Sequence, residues 1–320
     1  MTEIIGIISN PRSRRNRKAA HAFEVLIGNH PEVRHRAFHE VSEVPECLRE
    51  LAAEGVTHLI ISGGDGTVQA VITELINGKP FPDHPKLSLI PSGMTNAIAR
   101  DLGSTERPMR LLKRMIARIS AGDPGERLER TVMTLDLGDD GPVIHGFLLG
   151  AIAFYEGTML ARRKVYRLGI HQSLGSKLSL LLSVLRVICY GPGERSGFGG
   201  ERVTAVVDGR GGAPQELFLL VATTLSQVLP GIRPFWGTGP GRMKLTTITH
   251  PPRRFALAVL PALWGRPRPW MERLGYCSRR VERLECDLGS RVVFDGEILE
   301  TDSGPGFRLS VGPTVAFQCF

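Results

Sequence analysis

A short glycine-rich segment, GGDGT at 63–67, constrains the fold more than any other part of the sequence. It follows the apolar run 56–61, typical of a buried parallel strand, and precedes helical spacing over 68–76. The apolar runs 4–9 and 86–90 predict two more strands, each followed by a turn and a helix, and helical spacing predicts helices over 18–29 and 41–54. Strand, turn and helix repeated three times predict a parallel sheet with helices on both faces.

The loops after these three strands are the candidate ligand site, because open α/β sheets bind ligands at the carboxyl ends of their strands. Glycines let a phosphate approach backbone N–H groups, and a helix N-terminus attracts it further. The alternative is structural: a glycine-rich turn that caps a helix, and a solvated basic face at 12–18. The candidate nucleotide-binding residues are Asn10, Pro11, Arg12, Ser13, Gly63, Gly64, Asp65, Gly66, Thr67, Gly93, Met94, Thr95 and Asn96.

Asp65 is the unusual residue of this set, because a carboxylate repels phosphate unless a cation lies between them. It could hold Mg²⁺ through water or brace the loop through backbone N–H groups. No Walker A motif occurs, and no GxGxxG follows a predicted strand, so a standard dinucleotide-binding fold is disfavoured.

From about Thr131 the pattern changes to short alternating segments separated by glycine and proline turns, typical of antiparallel strands. The segments 146–154 and 291–297 are among the predicted strands, and 208–214 is a predicted turn. Leucines at helical spacing predict a helix over about 174–190, which is either packed in the core or interfacial at a lipid entrance, with a basic cluster at 162–167 beside it. A second candidate interfacial cluster consists of Trp264, Arg266, Arg268 and Trp270, with a buried tryptophan as the alternative.

The charge balance favours anionic partners, since 40 basic and 32 acidic residues leave a net charge of +8. No nucleic-acid motif accompanies this charge, so a nucleic-acid-binding protein is a weak alternative. No apolar run is long enough to span a bilayer or to form a signal peptide. We therefore expect a cytoplasmic protein with no transmembrane segment and no nucleic-acid partner, able to bind the inner membrane leaflet peripherally.

Motifs along the whole chain resemble the diacylglycerol kinase catalytic family, which includes the sphingosine and ceramide kinases. The resemblance rests on Asn10-Pro11, on GGDGT at 63–67, on PSGMTNAIAR at 91–100 and on Asp295-Gly296-Glu297. The family is similar in architecture to the NAD kinases, which share the Gly-Gly-Asp-Gly loop.

The resemblance implies a fold of the α/β plus β class. Residues 1–130, with a returning strand at about 305–320, would form a Rossmann-like three-layer α/β nucleotide-binding domain. Residues 131–304 would form an antiparallel β-sandwich that receives the lipid. ATP would bind in the cleft between the domains, with Mg²⁺, and a lipid hydroxyl would accept the γ-phosphoryl group.

The resemblance also implies that Asp295 or Glu297 accepts the proton of the lipid hydroxyl, with Asp65 as a further catalytic candidate. In an extended segment the side chains at positions i and i+2 share a face, so both carboxylates could point the same way. The alternative is an ordinary Asp-Gly hairpin turn.

Several positions depart from the family pattern, and the stretch 237–245 lacks the carboxylates of a structural Mg²⁺ site, so no structural metal is expected. The departures in the nucleotide loops are Arg14, Gln69, Ala70, Met94 and Ala97. The sequence predicts an ATP-dependent lipid kinase acting on diacylglycerol or a similar lipid alcohol at an anionic membrane surface. An NAD kinase-like enzyme and a non-catalytic lipid- or nucleotide-binding protein are the alternatives. The oligomeric state is left open, with a homodimer among the options.

Overall fold

The computed structural model describes residues 3–104, 106–138, 141–165, 172–289, 291–300 and 306–320. The chain divides into two compact units: a first unit of residues 1–130 and 314–320, and a second unit of residues 131–313. Among the described residues, no helix combines the length and the apolar character needed to cross a membrane.

The first unit is built on a parallel sheet. β1 pairs in parallel with β2 and β3, β3 pairs with β4, and the end of the chain adds beside β4, with Phe317 opposite Leu87. The elements are β1 (Ile5–Ser9), α1 (Arg14–Gly28), β2 (Arg34–Ala37), a 3₁₀ turn (Val41–Glu43), α2 (Val44–Ala53), β3 (His58–Gly63), α3 (Asp65–Asn77), β4 (Lys86–Pro91), α4 (Ala97–Asp101) and α5 (Pro108–Ser120).

Helices cover both faces of this sheet. Successive strand residues point to opposite faces, and every residue of β1 and β3 is buried. One face packs Ile5, Ile7 and Ile60 against apolar residues of α1 and α5, while α2 contacts β1 and α3 contacts β3. The buried strands read as continuous apolar runs because neither face meets water.

The structure corrects several element bounds in this unit. The helix predicted from residue 18 begins at Arg14, so most of the basic run 12–18 lies in the first turns of α1. The helix predicted from Val41 starts with a 3₁₀ turn. Strand β2 and helix α5 were not predicted, although α5 buries residues at helical spacing after a proline in its first turn: Leu111, Leu112, Met115, Ile116 and Ile119.

The second unit is dominated by antiparallel pairing. Strand β9 pairs with β8 along its first half and lies between β7 and β10 along its second half. Two strands have residues in both units, β5 (Glu126–Asp136) and β15 (Phe307–Cys319). The other elements of the second unit are β6 (Val143–Gly146), β7 (Leu148–Ile152), α6 (Ala153–Leu160), a π-helical turn (Ala161–Val165), α7 (Gln172–Tyr190), β8 (Glu201–Val207), β9 (Arg210–Thr223), β10 (Met243–Thr249), α8 (Phe255–Leu263), α9 (Pro269–Arg273), β11 (Tyr276–Val281), β12 (Arg283–Asp287), β13 (Arg291–Phe294) and β14 (Glu297–Glu300).

Apolar residues from many of these strands form one buried core, among them Leu149, Leu220, Leu245 and Phe294. A parallel sheet with helices in the first unit and antiparallel strands in the second confirm the predicted fold class, α/β plus β. Three local predictions in this unit were wrong. The segment 146–154 changes from strand to helix at Ala153, the turn 208–214 ends before Arg210, and 291–297 is a hairpin and not one strand.

Candidate functional site

Three strand ends meet in the first unit, as the loop pattern predicts. The N–H of Asn10, after β1, donates to the carbonyl of Ser62 on β3 at 3.1 Å. The N–H groups of Ser92 and Gly93, after β4, donate to the carbonyl of Gly63 at 2.9 and 3.1 Å. These bonds continue the parallel ladder beyond the strands, so the loops after β1, β3 and β4 lie together at the carboxyl edge of the sheet.

Buried polar side chains hold the three loops in place. The Nδ2 of Asn16 donates to the carbonyls of Asn10 and Ser62, at 3.0 Å each. The hydroxyl of Ser62 donates to Oδ1 of Asn16 at 3.1 Å and lies 3.2 Å from the hydroxyl of Ser92. Each group is desolvated and hydrogen-bonded, which makes the loop geometry specific. This role of Asn16, Ser62 and Ser92 was not predicted, although a lone asparagine inside a basic run is a signal for Asn16.

Part of the basic run is also structural. The N–H of Arg15 donates to the carbonyl of Ser92 at 3.1 Å, and its Nη1 donates to the carbonyl of Pro91 at 3.0 Å. Oδ1 of Asn10 accepts the N–H of Arg12 at 2.9 Å, which turns the chain and leaves the Arg12 side chain exposed. Only part of the basic run is therefore a solvated face, because the hydrogen bonds of Arg15 connect α1 to the loop after β4.

Two glycines let the loops after β3 and β4 touch. A Cβ on Gly93 would overlap the Cα of Gly64, and a Cβ on Gly64 would lie 3.0 Å from the Cα of Gly93. A Cβ on Gly63 would collide with the side chain of Thr67. The GGDGT segment therefore needs its first two glycines for packing, and backbone is left at the surface where α3 begins.

Asp65 braces the start of α4. Its Oδ1 accepts the N–H of Ile98 at 3.2 Å, and the backbone N–H groups of Ala97 and Asn96 lie near the carboxylate. Burial raises the pKa of Asp65, and these N–H groups and the charge of Arg100 oppose the rise. Of the two roles open from the sequence, the hydrogen bonds support bracing.

The other residues predicted after β3 and β4 surround this contact. Thr67 is buried and its hydroxyl lies 3.4 Å from Nδ2 of Asn10, which joins the first and second loops. Asn96 has a positive φ of 49° and closes its own loop, since its Oδ1 accepts the N–H of Gly93 at 2.8 Å. Met94 lies at the exposed tip of that loop. The structure thus brings the predicted loops together, while nucleotide binding by them stays a prediction.

Gly93→Ala should lower both the stability of the protein and its affinity for ATP, because the added methyl group forces the two loops apart. Overpacking of this kind costs about 1–3 kcal/mol. Thermal denaturation and calorimetric titration with ATP measure the two effects. Gly28→Ala is the matched control, because no described atom lies within 4 Å of a Cβ added there. Equal melting temperatures and equal ATP affinities for Gly93→Ala and Gly28→Ala would contradict a required contact between Gly64 and Gly93.

In the second unit, Asp295 is fixed in a hairpin turn between β13 and β14. Asp295 and Gly296 both have positive φ, 48° and 92°, as a tight two-residue turn requires. The Asp295 side chain is buried, its Oδ2 accepts the N–H of Phe147 at 2.8 Å, and its Oδ1 accepts the N–H of Leu148 at 2.9 Å. Both carboxylate oxygens therefore hold backbone of the segment that leads into β7.

Glu297 lies beyond the turn and its side chain is exposed. The expectation that 295 and 297 share one face of an extended segment is wrong, since the turn separates a buried carboxylate from an exposed one. The guanidinium of Arg162 donates to the carbonyl of Gly296 and so places a positive charge beside this turn.

Comparison with known proteins finds a family match in the first part of the chain. Residues 5–123 match the family model of the diacylglycerol kinase catalytic domain, which confirms the resemblance drawn from the motifs. A candidate diacylglycerol kinase from Bacillus anthracis str. Sterne has a TM-score of 0.65 at 15% identity, covering 99% of this chain and 97% of that chain. A diacylglycerol kinase from the same strain has a TM-score of 0.59 at 16% identity, with coverages of 99% and 94%. These likenesses show a shared fold. No curated protein matches the chain.

Proposed function

We propose, with the diacylglycerol kinase catalytic domain at residues 5–123 as the premise, that this chain is a lipid kinase. It transfers the γ-phosphoryl group of ATP to the hydroxyl of diacylglycerol or a similar lipid alcohol. The products are a phosphate monoester, ADP and one proton. The observation that carries the proposal is the meeting of the Asn10, GGDGT and Gly93–Asn96 loops within the matched region.

The nucleotide part of the proposal is supported by the chemistry of those loops. The first N–H groups of α3, which begins at Asp65, have no acceptor within the helix and carry the positive end of its dipole. Gly64 and Gly66 carry no side chains of their own, so phosphate oxygens could approach this backbone. Arg12, exposed at the turn after β1, would add a positive charge toward the triphosphate.

Magnesium would arrive with the phosphates of ATP and would neutralise charge on the transferred group. Among the described residues, no three His, Cys, Asp or Glu side chains form a metal cluster. Magnesium usually keeps several waters and binds through one or two carboxylates plus substrate phosphates, so a full protein cage is not required. The N–H groups bonded to Asp65 make it a positioning residue in this proposal, because they fix where the loop after β4 lies.

Glu297 is the base that we propose for the lipid hydroxyl. Asp295 has both carboxylate oxygens engaged by N–H groups of Phe147 and Leu148, whereas the Glu297 carboxylate is exposed. Arg162, bonded to the carbonyl of Gly296, adds a positive charge at the turn that precedes Glu297. Asp295 then positions the turn that carries the base.

The test is transfer of labelled phosphate from ATP, with Mg²⁺, to a panel of diacylglycerol, monoacylglycerol, ceramide, sphingoid bases and NAD. We expect label in the organic extract with one of the glycerolipids. Label in NAD would replace the proposal with a dinucleotide kinase. No label in any acceptor, from protein that binds ATP by calorimetry, would favour a non-catalytic binding protein.

A further inference from the structure

Helix α7 buries its small and polar side chains and exposes its large apolar ones, the reverse of a typical helix in a water-soluble protein. Its buried face is made of small and polar residues, including Ser179 at 4% exposure and Ser183 at 8%. Gly175 and Val187 are the other buried residues among the described side chains of α7. The Ser179 hydroxyl donates to the carbonyl of Gly157 on α6 at 3.2 Å. The opposite face presents large apolar side chains to solvent: Leu181 at 53%, Leu182 at 36%, Leu185 at 44% and Ile188 at 43%.

Helix α8 repeats the pattern beside it. It buries Ala258, Val259 and Ala262, and it exposes Leu257 at 67%, Leu260 at 52% and, just after its end, Trp264 at 54%. Val187 of α7 and Ala258 of α8 belong to the same buried cluster, so the two helices are neighbours. A water-soluble helix normally turns its leucines to the core. Two adjacent helices that both expose them form one apolar surface, here called the α7–α8 surface.

The segments that form the α7–α8 surface carry charged side chains of a single sign. The segments 172–190 and 250–270 contain no Asp or Glu. They contain six basic residues, of which five are exposed. Those five are Lys177, Arg253, Arg254, Arg266 and Arg268. Large apolar side chains bordered by Lys and Arg, with tryptophan at the margin, match the layers of an anionic bilayer, where apolar groups enter the acyl region and cations meet headgroup phosphates.

We propose that the α7–α8 surface docks on an anionic lipid bilayer, with the leucines of both helices and Trp264 entering the interface. The pattern fits a bilayer better than a second copy of this chain, because identical basic borders would face each other across a symmetric dimer. Such docking would bring the proposed lipid kinase to acceptors held in the membrane. The inference rests on the surface itself and does not require phosphoryl transfer.

The test measures binding of the full-length protein, without nucleotide, to phosphatidylcholine vesicles with and without phosphatidylglycerol. We expect binding to the anionic vesicles that falls as salt rises, because charges at a surface are screened over about 10 Å at 0.1 M salt. The Leu185→Glu/Leu260→Glu variant should bind at least roughly tenfold more weakly, since each leucine loses its apolar burial. Val41→Glu is the matched control, because Val41 is 63% exposed and lies in the first unit.

The charge and the tryptophan are tested in the same assay. Arg253→Gln/Arg266→Gln should weaken binding and flatten its salt dependence, while Arg210→Gln, at the exposed start of β9, should not. Trp emission should shift to the blue on binding, and Trp264→Phe should remove most of the shift. Equal binding by the leucine variant and Val41→Glu, or no preference for anionic vesicles, would overturn the proposal.

If a second copy of this chain covers the α7–α8 surface, the result is different. Light scattering would then find a wild-type dimer that becomes a monomer in Leu185→Glu/Leu260→Glu, with no vesicle binding by either form, and this would also overturn the bilayer proposal. Failure of the kinase proposal is distinguishable, since an inactive protein that binds anionic vesicles through this surface contradicts only the catalytic function.

Discussion

Asp65→Asn should lower phosphoryl transfer at saturating ATP and Mg²⁺ by roughly a hundredfold or more, the scale seen when a preorganised polar contact of a site is removed. The carboxylate accepts the N–H of Ile98 and lies near those of Asn96 and Ala97, and the amide can place its own N–H₂ against these donors. The loop after β4 then moves away from the α3 N-terminus. Turnover with labelled ATP measures the effect.

The matched control is Asp83→Asn, which changes an exposed carboxylate of the same unit. It should retain full turnover, and both variants should keep the wild-type circular dichroism spectrum. If Asp65→Asn keeps most of its turnover, the GGDGT loop is only a structural turn and the site assignment is wrong.

The pH dependence of stability gives a separate result for Asp65. Burial raises its pKa in the folded state above the unfolded value. The stability that it contributes is therefore fully present below the unfolded pKa and is lost as pH rises through the folded pKa. Relative to Asp65→Asn, the wild type should lose melting temperature between acid and neutral pH. A relative gain over that range would mean that the N–H groups outweigh burial and bind the anion.

The sequence predicted the features that depend on local pattern. Apolar runs and glycine positions indicated the parallel strands and the loops after them, because a strand followed by a glycine turn and a helix is a short-range signal. The Gly64–Gly93 contact follows from the same glycines. The burial and hydrogen bonding of Asn16 could not be predicted from a basic run alone, because its partners, the carbonyls of Asn10 and Ser62, depend on how the strands align.

Long-range partners explain the other failures. Asp295 reads locally as a residue of a strand or of a turn, and its hydrogen bonds go to Phe147 and Leu148, far away in sequence. Helical spacing located α7, but periodicity does not say which face is buried. Only the packing of Ser179 on Gly157 shows that the leucines point outward. Within the basic cluster predicted at 162–167, Arg167 and the side chain of Lys164 fall outside the described part of the chain.

Glu297→Gln should lower kcat by about 10²-fold or more, the scale of general-base removal, with little change in ATP affinity by calorimetry. The glutamine keeps the size of the side chain but cannot accept the proton of the lipid hydroxyl. Because Glu297 is exposed, the melting temperature should not change. Glu300→Gln is the matched control on the same strand, and the exposed ion pair that it breaks with Arg291 contributes little stability.

Asp295→Asn should behave differently, because it removes a charged acceptor from two buried N–H groups. Leaving a buried donor without its acceptor costs about 1–3 kcal/mol, so the melting temperature should fall. Asparagine tolerates the positive φ at this position, so the turn itself can still form. Activity should fall with the loss of stability and recover at low temperature, where the variant is folded.

A stable Asp295→Asn variant without turnover, beside an active Glu297→Gln variant, would transfer the role of base to Asp295. Loss of ATP affinity in either variant would instead assign that carboxylate to magnesium–nucleotide binding, and near-normal kcat in both would reduce the motif to a hairpin turn.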